Sequence, residues 1–428
     1  MTDNMDGWNN VLTNIGQQTK NRSSNTKYNP DRMIDRASLT SMYRGDGLAR
    51  RVVDIPVDDA MREWIEADGK ALDELARIDA KQRITEAAKW GRLYGGAVLV
   101  ALIDDGKTFE EPVNMAGIRR VLQLRVYDRH RVSWTTADIQ NDPLQANFGF
   151  PDYYTVQPIH GAPYRVHVSR LQILDGMPLP EDERQRNNGW GDSSLQSVYD
   201  ALSKYGTVMG ASGEIVQDFV QTVLGVKGLT DMLRAGEDDL VAKRATIIDL
   251  TRSVANTIFL DADGETYDKK ASSVAGLSEL WDRFAMHVST VTGIPATKLL
   301  GRSPAGLNAT GDSDIRQWYD VVGAYRGDEL GPVVSWLVEL LDAQLDWKKA
   351  DRPDSMEWRW PSLWQPTEAE WADIKLKNAQ TDNVYIMAGA VDAAYLYHLR
   401  HGGAEYCPDI TYSLEEYEEW LNGKAGGE

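Results

Sequence analysis

A single cysteine, Cys407, stands in a chain of 428 residues. It excludes an intrachain disulfide and any zinc site built on cysteine clusters, and it suits a reducing cytoplasm. Long apolar runs are missing too: none reaches the roughly 18–20 residues that cross a bilayer. The polar start, with Asn4, Asp6, Asn9 and Asn10, lacks the basic-then-apolar order of a secretory signal. No membrane association is expected. Positive charge is scarce, the net charge being −19. A protein that grips nucleic acid by neutralising phosphates should be basic overall or carry a dense basic patch. The nearest candidates, Arg119, Arg120, Arg125, Arg129 and Arg131, alternate with apolar residues and read as the solvated face of a sheet. Acidic walls are compatible with DNA that must slide rather than stick.

Catalytic motifs are also missing. There is no Walker sequence, no Gly-x-Ser-x-Gly elbow and no His-Glu-x-x-His. Asp261-Ala-Asp-Gly264 imitates the start of a calcium loop but lacks the later ligands, so it reads as a hairpin turn. His398 and His401 have no acidic or cysteine partner at metal-ligand spacing and read as helix-surface residues. No cofactor and no metal are expected. One enzymatic alternative stays open. His167-Val-Ser169 and His287-Val-Ser289 are paired His-x-Ser triplets, the pattern in which one imidazole serves as base and the other as acid on a phosphodiester. The second lies in a helical pattern, whereas that chemistry wants both on neighbouring strands.

What is present organises the chain. Leu39, Met42 and Tyr43, then Leu48, Val52, Val53 and Ile55, suggest two short helices, with Pro56 opening a third whose early turns hold Asp58, Asp59 and Glu63. Leu72 to Gly91 follows the helical period and stops at Gly95-Gly96. Ala97 to Ile103 is an apolar run of the buried-strand kind. Residues 118–175 alternate as strands, giving an α+β domain of helices followed by a largely antiparallel sheet. From Asp192 or Ser193, good N-caps, the pattern turns helical to about Val220. A β-like piece at Thr222–Gly228, a helix at Asp238–Ala255 and a hairpin at Thr257–Tyr267 come next, then helices at Leu277–Val291 and Asp312–Lys349, the last broken near Pro332. From Thr367 onward twelve Asp or Glu face four Lys or Arg, in a helical C-terminal region.

Between the last two long helices lies the most telling stretch. Gly293, Pro295, Gly301, Pro304, Gly306 and Gly311 leave no room for a regular element, yet Ile294, Leu299, Leu300 and Leu307 are not what a solvated linker needs. A long, partly apolar loop pinned between helices usually has a task.

The words Gly293-Ile-Pro-Ala-Thr297, Gly301-Arg-Ser-Pro-Ala-Gly306 and Asn308-Ala-Thr-Gly311, followed by Asp314-Ile-Arg-Gln-Trp-Tyr319, resemble the portal proteins of tailed bacteriophages. So do His167-Val-Ser-Arg-Leu171, Asp175-Gly176 and Gly189-Trp-Gly-Asp-Ser-Ser194, in that order. The resemblance implies a portal-like α+β fold: a flexible arm at 1–35, a wing at 36–191, a first stem helix at 192–221, a clip at 222–272, a second stem helix at 273–292, a channel loop at 293–311, a long kinked helix at 312–349 and a crown-like segment at 350–428. It implies no enzyme. It implies a subunit of a homo-oligomeric ring, a dodecamer in that family, at one capsid vertex of the virion, assembled in the host bacterial cytoplasm. Double-stranded DNA passes the ring without sequence specificity during packaging and genome ejection. The implied partners are the terminase large subunit, a head-completion or adaptor protein, and the major capsid and scaffolding proteins. Pro295, Thr297, Lys298, Arg302 and Asn308 would lie near the DNA, with Gly293, Gly301, Gly306 and Gly311 as loop hinges. Lys227, Arg234, Asp261, Asp263 and Tyr267 would dock partners at the clip. Lys298 and Arg302 are placed either to touch phosphates transiently or to pair with acidic residues of the next subunit. The alternative implied by the His-x-Ser pair is a phage two-histidine phosphodiesterase that cleaves cyclic-nucleotide signals through His167 and His287.

Overall fold

The computed structural model describes residues 33–145, 147–217, 220–226, 265–271, 276–301, 311–344, 356–364 and 368–390, with positions 243 and 246. The chain divides into two compact units, residues 1–361 and 362–428.

In the first unit, helices α1 (Arg36–Gly45) and α2 (Gly47–Arg62) open the fold, each started by an aspartate. Asp35 accepts from the Ser38 amide, and Asp46 from the Leu48 and Ala49 amides, which satisfies donors that a helix N-terminus leaves orphaned. Strand β1 (Glu66–Ala67), α3 (Gly69–Arg77) and α4 (Ala80–Tyr94) lead into β2 (Gly96–Asp104). Then come β3 (Arg120–Asp128), β4 (Val132–Ser133), β5 (Tyr153–Val156), β6 (Tyr164–His167), β7 (Leu171–Asp175) and α5 (Glu181–Arg186). The second half of the unit carries α6 (Tyr199–Gln217), β8 (Val220–Val226), β9 (Glu265–Ala271), α7 (Leu277–Thr292), α8 (Ala296–Leu300), α9 (Gly311–Tyr325), α10 (Gly331–Asp342) and β10 (Trp358–Arg359). In the second unit α11 (Glu368–Met387) buries none of its residues.

The predicted apolar run is β2, the middle strand of a sheet ordered β3-β2-β7, antiparallel to both neighbours. It is covered on both faces, which is why it does not alternate. Val98 and Val100 join a cluster with Tyr127, Val132, Tyr154, Val156, Val166, Leu171 and Trp190 that ties this sheet to a second, ordered β4-β5-β6. The other face meets α4, whose Ala87, Ala88 and Gly91 are buried and small enough for close approach. The words Asp175-Gly176 and Gly189–Ser194 mark a backbone crossing. A Cβ on Gly176 would lie 2.3 Å from the Asp192 carbonyl oxygen and 2.5 Å from the Gly95 Cα, so only glycine fits. The arginines 119 to 131 are not a free basic face. Arg120 pairs with Glu74 at 3.0 Å, Arg131 with Asp128 at 3.6 Å, and Arg129 donates to the Gly191 carbonyl at 3.1 Å.

Several expectations change. Pro56 does not open a helix; it sits inside α2, so Asp59 falls near that helix's C-terminal end. The helix expected over 72–91 is two, separated at Asp79, whose φ of 54 is left-handed. The helix expected from 192 starts at Tyr199, after a series of turns. The expected return strand near Tyr267 is β9, and it pairs in antiparallel register with β8, Tyr267 opposite Leu224. The other half of that hairpin, the helix at 238–255 apart from positions 243 and 246, and the residues of the calcium-like turn lie outside the described residues. The break at Pro332 is a π-turn, Arg326–Leu330, after which α10 restarts with the proline in its first turn. The stretch at 293–311 does contain a regular element, the one-turn helix α8.

Candidate functional site

The junction where α7 ends and α9 begins is built from short-range rules. Gly293 closes α7 with φ 68, and Gly301 closes α8 with φ 70, both left-handed caps that cost an L side chain strain. Pro295, extended at ψ 139, sets the N-terminus of α8. The Ser289 hydroxyl donates to the Ile294 carbonyl at 2.6 Å, turning the chain. Ile294, Ala296 and Leu299 are buried, so the turn is held by packing as well.

Long-range anchors come from α2 and α9. Arg51 Nη1 donates to the Leu299 carbonyl at 2.6 Å, capping α8 with a cation. Lys298 Nζ lies 3.0 Å from Asp59 Oδ1, and Trp318 Nε1 donates to Asp59 Oδ2 at 2.7 Å. Lys298 also stands 5.6 Å above the Tyr319 ring, which Arg62 covers from 5.2 Å while donating to its hydroxyl at 3.0 Å. Lys298 thus has an acidic partner, Asp59, within its own chain. A carboxylate near a helix C-terminus is disfavoured by the helix dipole, and Asp59 is held there by these two donors. The hydroxyl of Thr297 is buried without a hydrogen-bond partner among the described residues.

Two arginines, half-buried Arg92 and buried Arg326, finish the backbone accounting of α2. Pro56 has no N–H, so the Val52 carbonyl has no partner four residues on. Arg92 Nη2 donates to it at 3.1 Å, and Arg92 Nε to the Val53 carbonyl at 3.3 Å. Burial pushes the Arg92 guanidinium's pKa down, and the neighbouring Tyr325 and Glu329 oppose that shift. At the other end, α2 has no glycine cap. Arg326, 2% exposed, donates from Nε to the Ala60 carbonyl at 2.6 Å and from Nη2 to the Glu63 carbonyl at 2.9 Å; its Nη1 reaches the Pro361 carbonyl at 2.8 Å. Its guanidinium lies 5.0 Å from the Trp360 ring centre. Burial, followed by the Arg62 charge, lowers its pKa to about 10.

Of the predicted channel residues, the structure brings Pro295, Thr297 and Lys298 together with the hinges Gly293 and Gly301, and makes Gly311 the first residue of α9. Arg302, Gly306 and Asn308 lie outside the described residues, as do Lys227, Arg234, Asp261 and Asp263. Tyr267 is on β9. His167 and His287 occupy unlike settings. His167 ends β6, 2.9 Å from the Ser169 hydroxyl and edge-on to Tyr153, and burial lowers its pKa. His287 is exposed in the middle of a helix. No group of three or more metal-binding side chains occurs among the described residues, and no helix there is long and apolar enough to cross a membrane.

A family model described as phage portal protein matches residues 37–384. A protein of Caulobacter sp. (strain RHG1) named "Anti-CBASS protein Acb1" is 32% identical over 408 residues, covering 90% of this chain and 63% of the relative. A protein of Sphingomonas paeninsulae with the same name is 28% identical over 403 residues, with the same coverages. The chain thus spans 63% of the length of each of these two relatives. Among solved structures, the neck of a native GTA particle, computed with C12 symmetry, aligns with a TM-score of 0.51 at 15% identity. That alignment covers 86% of this chain and 94% of the other, and the likeness is one of fold.

Proposed function

The chain belongs to the phage portal protein family, and from that membership we propose that it assembles with copies of itself into a ring that conducts double-stranded DNA at a capsid vertex. The observation that supports this best is the helix–ladder–helix arrangement of α6, β8, β9 and α7. The two helices pack on each other, with Trp281 Nε1 donating to the Ser212 hydroxyl at 2.8 Å, and the ladder lies between them in sequence. In this reading α6 and α7 form the stem and β8–β9 belongs to the clip that meets terminase and adaptor proteins. Met209, Leu280, Met286 and Val291 remain exposed on the stem helices, apolar surface of the sort a ring neighbour covers. The sheets form the wing, the segment 293–311 the channel loop, α9 to α10 the helix behind it and the C-terminal unit the crown. The chain acts without catalysis of its own.

Mass photometry of the full chain tests the ring: a species near twelve times 47.9 kDa is expected, and a monomer at every salt concentration would reject it. Deleting 296–308 is expected to block packaging while sparing the ring. Normal packaging by that variant would reject the channel-loop role.

A second reading follows the anti-CBASS name of the two relatives and places phosphodiester hydrolysis at His167 and His287. Their settings, a strand end and a helix face, do not favour it. Cyclic-nucleotide cleavage that disappears on alanine substitution of both would establish it.

A further inference from the structure

The outer edge of β6 is only partly used. In its ladder with β5, the even-numbered residues face the neighbour, and the Val168 amide continues the series by donating to the Asp152 carbonyl at 2.8 Å. Odd-numbered residues therefore point their N–H and C=O groups away from the sheet. His167 does so, and its N–H donates at 2.9 Å to the Phe109 carbonyl of the loop before β3. Two residues earlier, Arg165 presents its N–H and C=O in the same direction. There the loop diverges and leaves a groove of about 620 Å³ lined by Thr108, Phe109, Glu110, Thr155, Tyr164 and Arg165, with Pro163 at its end. Its floor is the Phe109–Tyr164 ring pair, centroids 5.5 Å apart, with Phe109 38% exposed. The Arg165 charge is already taken by Asp138 and by the Tyr153 ring, 4.6 Å away. The charge left at the rim is the exposed carboxylate of Glu110. An edge that keeps one outward N–H and C=O, those of Arg165, beside an apolar floor and an acidic rim accepts an extended, basic polypeptide as an added strand.

The chain contains such a polypeptide. Residues 7–30 hold no Asp or Glu, yet include Lys20, Arg22 and Lys27, in a protein of net charge −19. They also carry Trp8, Val11, Leu12 and Ile15, side chains that suit a strand over an aromatic floor. The described chain begins on the same body as β6: the Ile34 amide donates to Gln196 Oε1, and Arg36 pairs with Asp128 at the end of β3. Extended at about 3.3 Å per residue, the segment reaches up to about 80 Å, enough for β6 of its own subunit or of a neighbour.

We propose that residues 7–30 dock on the free edge of β6 as an added strand, with their basic side chains beside Glu110. Hydrogen exchange on the full chain tests this. Amides within 7–30 are expected to exchange at least about tenfold more slowly than in an unstructured chain. Arg165→Ala, which keeps the outward amide, should retain that protection. Arg165→Pro deletes an amide that β5 does not use and should reduce it at least fivefold. Glu110→Lys, on the exposed rim, should also weaken it several-fold without changing the melting temperature, and serves if the proline variant does not fold. Unprotected amides in the unaltered chain, or protection unchanged in both Arg165→Pro and Glu110→Lys, overturn the proposal. Zero-length cross-linking from Lys20 to Glu110 within one chain or between two chains supports it. Cross-links from Lys20 only to carboxylates elsewhere reject it.

Discussion

Replacing Arg326 by methionine keeps the length and apolar stem of the side chain and removes the group that finishes α2. Three carbonyls, those of Ala60, Glu63 and Pro361, lose their donors at 2.6, 2.9 and 2.8 Å. A hydrogen bond from a charged donor contributes about 1.5–3 kcal/mol, so three give about 4.5–9 kcal/mol. Desolvation of the guanidinium opposes this. The fall of its pKa from 12.5 to about 10 corresponds to about 3 kcal/mol. The expected net loss is roughly 1.5–6 kcal/mol, a range that includes the cost of stranding the partners of a buried charged group. Arg326→Lys, with one donor centre in place of a fork, should fall between. Urea unfolding followed by tryptophan emission measures it. Trp360, which lies against the guanidinium, and its edge-on neighbour Trp64 are two of the fourteen tryptophans that contribute to the signal. A loss under about 1 kcal/mol for the methionine variant would refute the view that Arg326 caps α2.

Lys298→Met should loosen the junction by about 1 kcal/mol, since the pair with Asp59 is only partly buried. Chymotryptic cleavage at Leu299 and Leu300 should then run about fivefold faster; an unchanged rate would contradict the anchoring role. Pro56→Ala restores the amide that Val52 lacks, so Arg92→Ala should cost about 1 kcal/mol less in that background than alone. A double-mutant cycle without coupling would show that Arg92 has another purpose. The Glu111 carboxyl is held down to about 2 by Lys107 and by the Thr108 amide and hydroxyl. Its contribution is therefore complete above its ordinary value of 4.5 and fades as pH falls toward 2. Glu111→Gln should flatten the acid limb of stability against pH in that window, as followed by circular dichroism.

How legible all this is from residues alone depends on whether a feature is local. The run at 97–103 announces β2 because burial on both faces removes alternation. Gly293 and Gly301 read from the sequence as breakers and loop hinges; that they cap α7 and α8 emerges only with the one-turn helix between them, too short to leave a period. Pro56 misleads because its cost is met by Arg92, far along the chain, and no local pattern records that compensation. Asp59 carried a faint signal: once α2 is known to continue past Pro56, an acid in its last turns is misplaced and calls for a cation. That the cation is Lys298 depends on tertiary placement. The β1–β10 pairing, Glu66 opposite Arg359, joins two-residue strands far apart in sequence and leaves no periodicity to detect. Arg326 looks like any surface arginine until the π-turn aims it inward.

That π-turn also sets the phase of everything after it. Trp318, Val322, Arg326, Leu330 and Val334 are all buried and each is four positions from the last. In an ideal α-helix such a series rotates by about 40° per step and soon leaves one side. The wider coil at 326–330 takes up that drift with a surplus residue. Excising a single residue there would yield a smoother rod, and it would swing Leu337 and Leu341 by roughly a quarter turn away from the body they now seal. The irregularity behaves as a spacer whose length in residues is fixed, even where its side chains, such as exposed Gly327 and Asp328, are free to vary.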